Sequence, residues 1–364
     1  MTHSLSNTVG DAPTGAAEPD YRQQMICPLC GGTAHNRYHA HPGYSAAATY
    51  DIYHCADCVT AFADPMRGET GLYDCIYSNY RRIPGYLRYA HYAQAVRSSK
   101  DPLSYLAGME GAYWSVAKTL ERYGDDRSIN ILEIGSGSGY LTYAIAKRDF
   151  TITGLDVSSE AVSTAKRLYG DHYACADLFE YSRTHRAQYD LVIMTEVIEH
   201  VDAPRAFLAA AEQLLKPGGR ILVTTPDRGA FPAHAVWQTE YPPVHYWWFT
   251  ARSFAELAEQ LNLSLSFVDI TGAPGSMPVN PDHVGDGLQP DRAVVFLDRG
   301  RLNPALRRQV RAQRLYYALH RIGLVSLVRR AKQAKAATPR AAVSAGRPYC
   351  LCAVFTKRRD ASAG

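Results

Sequence analysis

Residues 129–148, INILEIGSGSGYLTYAIAKR, join an apolar run, a glycine-rich turn and a helical pattern without a break. The apolar residues 129–134 read as a buried strand, and the apolar spacing from Tyr140 onward reads as a helix. Between them stand Gly135, Gly137 and Gly139, with Glu133 at the strand's end. Missing side chains let a ligand approach the backbone, and a helix N-terminus favours an anionic group such as a carboxylate. A dinucleotide-binding turn would place its third glycine one position later, where this chain has Tyr140; that spacing disfavours NAD without excluding it. The next strand, FTITGLDV (150–157), ends on Asp156, an acidic residue placed to accept hydrogen bonds from a ribose diol. Asp177, after a short third strand, falls where it can sit beside an adenine.

Outward from this unit, strands and helices keep alternating. YDLVIMTE (189–196), RILVTTP (220–226), LSLSFVDI (263–270) and YCLCAVFTKR (349–358) read as further strands. The stretches starting at 159, 204 and 252 read as helices, the second stopped by Pro-Gly-Gly. Repeated units of this length predict an α/β fold, a doubly wound, mostly parallel seven-stranded sheet with helices on both faces.

ILEIGSGSGYLTYAIAKR, GLDVSSEAV and TEVIEHVDAPRAFLAAAEQLLKPGGRILVTTP together resemble the class I S-adenosylmethionine-dependent methyltransferases, in the branch with VIEH after the fourth strand. The resemblance covers residues 129 to about 270. It implies that Glu133, Gly135, Ser136, Gly137 and Gly139 line the methionine end of S-adenosylmethionine, Asp156 and Val157 its ribose, and Asp177 and Leu178 its adenine. Glu196 and Val197 would close over the sulfonium. Little about the acceptor follows from it.

Ahead of this core lie two CxxC knuckles, Cys27–Cys30 and Cys55–Cys58, separated by 24 residues. Four thiolates at this spacing suit a closed tetrahedral zinc site, structural rather than catalytic because no ligand position is vacant. Val59 occupies a position where such knuckles favour glycine. His35, His39, His41 and His54 read as surface or packing residues, and Cys75, Cys175, Cys350 and Cys352 as buried thiols. A zinc ribbon before such a core, followed by the tyrosine-rich LYDCIYSNYRRIPGYLRYAHYA, is similar to zinc-containing methyltransferases of bacterial sugar and natural-product pathways. That similarity implies a sugar-like acceptor, and Tyr77, Tyr80, Tyr86 and Tyr89 as a lid over it, since aromatic faces suit both a sulfonium and a sugar ring.

The expected organisation is a disordered start (1–20), the ribbon (21–64), a tyrosine-rich helical linker and cap (65–127), the core (128–271), a loop with a basic helical insertion (272–345), and a last strand with its tail (346–364). At 364 residues, 46% of them hydrophobic, the chain is long enough for a full core. Its start has no basic segment leading into an apolar run, and no stretch approaches the roughly 20 apolar residues of a membrane span, which points to the cytoplasm. Residues 299–359 carry 16 Lys or Arg and no Asp or Glu, leaving 23 bases against 35 acids elsewhere. Such a basic segment suits an RNA, a membrane surface or a homodimer interface, and equally a solvated helix docked on an acidic body.

A hydroxyl or acidic C–H acceptor must lose a proton, and histidine's pKa suits that task. His200 in VIEH and His245 in YPPVHYWWFT (241–250) are the candidate bases. The second follows the fifth strand, on the side where doubly wound sheets bind ligands. In the sugar methyltransferases this chain resembles, a His in this region is implicated as base, preceded by an acidic residue; here Val244 precedes it. Tyr241 and Tyr246 have a polar handle for the substrate, while Trp247, Trp248 and Phe249 read as packing against the following helix. The leading expectation is methylation of a small molecule at oxygen or carbon, with RNA as the alternative acceptor.

Overall fold

The computed structural model describes residues 23–45, 48–68, 71–230, 241–273, 294–297, 300–321, 324 and 350–359, without the side chains of Tyr73, Asp74, Tyr77 and Arg321. The start expected to be disordered and much of the loop and basic insertion expected over 272–345 lie outside these residues.

Seven strands form the central sheet: β5 (Asn130–Ile134), β6 (Thr151–Asp156), β7 (Tyr173–Cys175), β8 (Tyr189–Thr195), β9 (Leu215–Pro226), β11 (Ser264–Phe267) and β14 (Cys350–Thr356). Their order is β11-β14-β9-β8-β5-β6-β7, parallel from β9 to β7, with β14 antiparallel to both of its neighbours. The order reverses at β5, which pairs with β6 on one side and β8 on the other, so a crevice opens at the carboxyl ends of β5 and β8. The fifth strand is longer than its sequence suggests. The preceding helix, α8 (Pro204–Leu214), ends before Leu215, and Lys216-Pro217-Gly218-Gly219 is absorbed into β9 as an irregularity of register, with Gly218 at φ 79°.

Side chains alternate between two cores. On one face Ile131, Ile152, Leu191 and Ile193 meet α5 (Tyr140–Ala146), α6 (Ser159–Tyr169), α2 (Leu87–Ser98), α3 (Pro102–Ala107) and α4 (Gly111–Glu121). The stretch expected as linker and cap thus also supplies part of one helical layer, with α4 against β9 and β14. On the other face Leu132, Ile134, Val192 and Met194 meet α8 and α9 (Ala251–Gln260), together with Leu178 at the start of α7 (Leu178–Thr184).

The cysteine-bearing segment forms β1 (Gln24–Ile26), β2 (Thr33–Pro42), β3 (Thr49–Cys55) and β4 (Ala61–Asp64), followed by α1 (Leu72–Asn79). A fifth strand comes from far along the chain: β10 (Trp247–Trp248) pairs antiparallel with β4, Trp247 against Phe62 and Trp248 against Ala61. Both tryptophans thus belong to this small sheet by backbone pairing, but only Trp248 packs within it, among Tyr50, Ile52 and Ala63, while Trp247 stacks on Phe249 in the core shared with Phe254 and Leu257. Phe249 does pack against the next helix, with ring centres 5.2 Å from Phe254. Gln260 donates to the Leu29 carbonyl, and Cys27, Leu29, Cys55 and Cys58 share one core with Phe254 and Leu257, which welds the small sheet to the large one.

A short hairpin, β12 (Phe296–Leu297) with β13 (Arg301–Leu302), leads into α10 (Arg307–Arg321). This described part of the basic segment docks on α2: Tyr317 stacks on His91 at 4.7 Å and Gln313 accepts from the Gly85 amide. Among the described residues no helix is long and apolar enough to cross a membrane.

Candidate active site

The glycine turn is tied to the second strand. Gly135 and Ser136 donate to the Leu155 carbonyl, and Gly137 donates to Asp156 Oδ2 at 2.8 Å. Asp156 Oδ1 accepts from Ser158, so the carboxylate is fixed between two amides and keeps lone pairs free for a ligand. The glycines have separate reasons. A Cβ on Gly139, at φ 78°, would come within 2.6 Å of Ala165 and 2.8 Å of the Tyr173 ring, whereas Gly137, at φ 48°, has nothing within 4 Å in front of it. The open side of Gly137 is a cradle. Beside it Ser136 Oγ is buried without a hydrogen-bond partner among the described residues, and Val157 is left 72% exposed just after β6.

Other residues named from the sequence have more structural surroundings. Glu133 is buried and accepts a short hydrogen bond from Thr142; burial pushes its carboxyl up from 4.5 to about 8. The folded state thus favours the protonated form, and that contribution to stability is complete below the unfolded pKa and lost as pH rises through 8. Glu133→Gln should keep the Thr142 bond and remove this pH dependence. Its melting temperature relative to the wild type is expected to climb from pH 5 to pH 8; parallel curves would refute the buried, protonated Glu133. Asp177 caps α7, accepting from Phe179 and Glu180, and the Leu178 side chain is in the core. Val197 lies against the glycine turn, since a Cβ on Gly135 would fall 2.6 Å from its Cγ2.

At the end of β8, Glu196 takes φ 56°, a conformation rare for a residue with a side chain and typical of functional turns. Its carboxylate accepts from Thr224 at 3.1 Å, and burial, with Glu199 nearby, pushes it up to about 8. The turn Ile198–His200 carries Glu199 and His200. Tyr246 donates its amide to the Glu199 carbonyl at 2.9 Å, which holds the 241–249 segment over this turn. His200 and His245 meet edge to face at 4.5 Å, and the His200 Nδ1 pairs with the Val244 carbonyl. Burial lowers the pKa of both rings, His245 far below 6.5.

The two candidate bases are therefore neighbours. Tyr241 and Tyr246 are buried in separate apolar clusters, Tyr241 with His41 at 5.3 Å. Of the tyrosine lid, Tyr77 lies on α1 with its side chain outside the described residues, and the Tyr80 hydroxyl accepts from Arg81. Tyr86 and Tyr89 pack edge to face at 5.9 Å, and the Tyr89 hydroxyl accepts from Arg88 at 2.8 Å. Burial raises the pKa of Tyr89 against the opposing charge of Arg88, and Glu110 and then Glu196 add to the rise, which brings this tyrosine into the electrostatic reach of the site. Sequence reasoning missed Arg88, Glu110 and Tyr92. Arg88 pairs with Glu110 at 3.4 Å and Tyr92 donates to Glu110 at 2.6 Å. A charged pair inside a tyrosine-rich helical stretch was the available signal.

Cys27, Cys30, Cys55 and Cys58 converge, with sulfurs of Cys27 and Cys58 3.8 Å apart and those of Cys30 and Cys55 3.5 Å apart. These spacings are close to the edge of about 3.8 Å that a tetrahedron of Zn–S bonds of about 2.3 Å implies. The Gly32 amide donates to Cys30 Sγ at 3.4 Å. Gly31 turns the first knuckle at φ 77°, and Val59 turns the second at φ 59°, where a β-branched residue is strained. His35, His39, His41 and His54 are outside the sulfur cluster; His39 pairs with Asp51. Of the four thiols expected to be buried, Cys352 is; Cys75 and Cys350 are half-buried and Cys175 is exposed, with the Cys350 and Cys352 sulfurs 3.4 Å apart.

Residues 110–266 match the family described as "Methyltransferase domain". Among curated relatives, the ubiquinone biosynthesis O-methyltransferase of Cronobacter sakazakii is 34% identical over 116 residues, 30% of this chain and 47% of the relative. That of Escherichia coli is 34% identical over 113 residues, with the same shares. The chain spans about half the length of these relatives. A solved S-adenosylmethionine-dependent methyltransferase from Mesorhizobium loti aligns over 68% of this chain and 98% of its own, at 14% identity and TM-score 0.40. The glycine turn and strands β5 to β9 all lie within the residues that match this methyltransferase family.

Proposed function

We propose that this chain transfers a methyl group from S-adenosylmethionine to an oxygen or carbon of a small molecule, a sugar or glycosylated metabolite, and that Cys27, Cys30, Cys55 and Cys58 hold a structural zinc ion. The observation that carries the reading is the cradle: open backbone at Gly137, a Ser136 hydroxyl without a hydrogen-bond partner among the described residues, the fixed Asp156 carboxylate and the exposed Val157, with Val197 from the turn after β8 packed against Gly135. S-adenosylmethionine supplies an electrophilic methyl group when bound. Asp156 and Val157 hold its ribose side, Asp177 and Leu178 its adenine side through the start of α7, and Glu133, Gly135, Ser136, Gly137 and Gly139 its amino-acid end. The protein's own contribution is mostly positioning, which suits an in-line displacement.

On the acceptor side, Glu196, Glu199, His200 and His245 provide the groups that receive or orient a hydroxyl, with Tyr89 and Arg88 on the facing helix. Support for a small acceptor comes from the burial of these groups, with Glu199 0% and His245 8% exposed. The RNA reading rests on the charge of 299–359, whose described helix α10 packs on α2. Incubation with methyl-labelled S-adenosylmethionine and a panel of sugar nucleotides, glycosides and phenols is expected to label a glycosylated compound. Binding of S-adenosylhomocysteine without labelling of any glycosylated compound, or labelling of RNA instead, would overturn the acceptor class; failure to bind S-adenosylhomocysteine would overturn methyl transfer itself.

A further inference from the structure

One face of the small sheet collects nitrogen donors that methyl transfer does not use. Register aligns Gln24 with His35, His35 with His54, His54 with Ala61 and Ala61 with Trp248, so a single rung crosses all five strands and its side chains share a face. Their chain neighbours Ala34, Tyr53 and Cys55 are buried in the core on the other face. At the Gln24 end the rung borders a cavity of about 420 Å3, lined by Gln24, His35, Arg37, His54 and Ala56. Arg228, from the turn after β9, comes up to it and is only 9% exposed. Burial lowers the Arg228 pKa and the nearby Arg37 charge lowers it further, against Tyr38 and Asp227, so two guanidiniums share one neighbourhood. Two nitrogens of the rung, His35 Nδ1 and Trp248 Nε1, are buried without a hydrogen-bond partner among the described residues, and Trp248 is 5% exposed. An indole N–H can only donate, so whatever completes it must accept.

We propose that this face of the small sheet binds a phosphate group, with Arg37 and Arg228 supplying the charge and His35, His54 and Trp248 donating to its oxygens. The site stands apart from the methyl-transfer reading and uses none of its residues. Crowded like charges and buried unpaired donors are costly, and an anion relieves both at once. Guanidiniums suit phosphate because their N–H groups match its oxygens two at a time. A carboxylate presents only two oxygens in one plane, whereas these donors come from β2, β3, β10 and the turn after β9, a spread that fits a tetrahedral anion. Among the described residues no acidic side chain lines the cavity. The acids at its margin are engaged, Asp57 accepting from the Thr33 amide and Asp227 from the Gly229 amide. The cavity exceeds a bare phosphate and has the size of a small-molecule site, which leaves room for the organic part of a phosphate ester. The segment that carries Trp248 also carries His245, so the face is joined to the acceptor side of the cleft by three residues of chain.

Full-length, zinc-loaded protein is titrated by calorimetry with inorganic phosphate, with glucose 1-phosphate and with glucose. Saturable binding of one phosphate compound per chain is expected, and none of glucose. Arg37→Ala should weaken it about tenfold or more, the scale of a lost charge-assisted hydrogen bond. Trp248→Phe keeps an aromatic ring and removes only the N–H, so a loss of about threefold is expected. Arg307→Ala, at an exposed arginine on α10, should change nothing. Tighter binding of glucose 1-phosphate than of phosphate assigns the site to a sugar phosphate ester, and equal affinities assign it to the free anion. Absence of saturable binding of both phosphate compounds to the wild type overturns the proposal even where a variant fails to fold. Binding unchanged in folded Arg37→Ala and Trp248→Phe overturns it too, as does an equal loss in Arg307→Ala, which would reduce the attraction to overall charge. S-adenosylhomocysteine is titrated into the same preparation: its binding without phosphate binding removes this site alone, and phosphate binding without it removes the methyl-transfer reading alone.

Discussion

Asp156→Ala is expected to weaken S-adenosylhomocysteine binding by about 100-fold, because hydrogen bonds to a charged group contribute roughly 1.5–3 kcal/mol each. The loss has two routes. The carboxylate offers acceptors to the ribose side of the ligand, and it also fixes the cradle by accepting from the amides of Gly137 and Ser158. Removing it frees the glycine turn at the position where open backbone faces the ligand. Asp156→Asn separates the two routes: one amide oxygen can still accept from one of the two N–H groups, so an intermediate affinity is expected. Calorimetric titration decides it, and an unchanged dissociation constant for Asp156→Ala would remove both this residue and the cradle from the cofactor site.

Cys55→Ser should have the second large effect. Cys55 is buried at the centre of the sulfur cluster and ends β3, and structural zinc sites in isolated peptides contribute about 10–16 kcal/mol, so a lost ligand is expected to lower the melting temperature by about 10 °C or more. Turnover should fall with it. β4 follows the second cysteine knuckle and pairs with β10, two residues beyond His245, and Ala63 donates to the Tyr246 carbonyl. Loosening the small sheet therefore loosens the segment that places His245 over Glu199. Zinc content, a thermal melt and a labelling assay on the same preparation test the chain of effects. Cys175→Ser, at an exposed thiol outside the sulfur cluster, is the control that should leave zinc content and the melt unchanged. Full zinc content and an unshifted melt for Cys55→Ser would refute the structural zinc.

The residues 129–157 were legible because their constraints are local. Burial of a strand, a turn that needs left-handed glycine and an acidic residue at the next strand's end follow from spacing alone, and Gly135, Gly137, Gly139 and Asp156 are arranged as that spacing implies. The cysteine knuckles were legible for the same reason, including the strained turn at Val59. The aromatic segment was not. Trp247 does share the core of the following helix, as its sequence suggests, but Trp248 does not, and the backbone partners of the two are Phe62 and Ala61, nearly two hundred residues earlier. Strand pairing of that range leaves no periodic trace.

Sequence by itself determined the seven-strand α/β core, the glycine turn and the paired cysteines, because hydrophobic period, glycine conformation and thiol spacing act over a few residues. Only the tertiary structure decided that Glu199, His200 and His245 converge, that Tyr89 and Arg88 come within electrostatic reach of Glu196, and that the small sheet borrows β10 from the far side of the active site. Each of these depends on two segments whose separation in the chain carries no signal until packing brings them together.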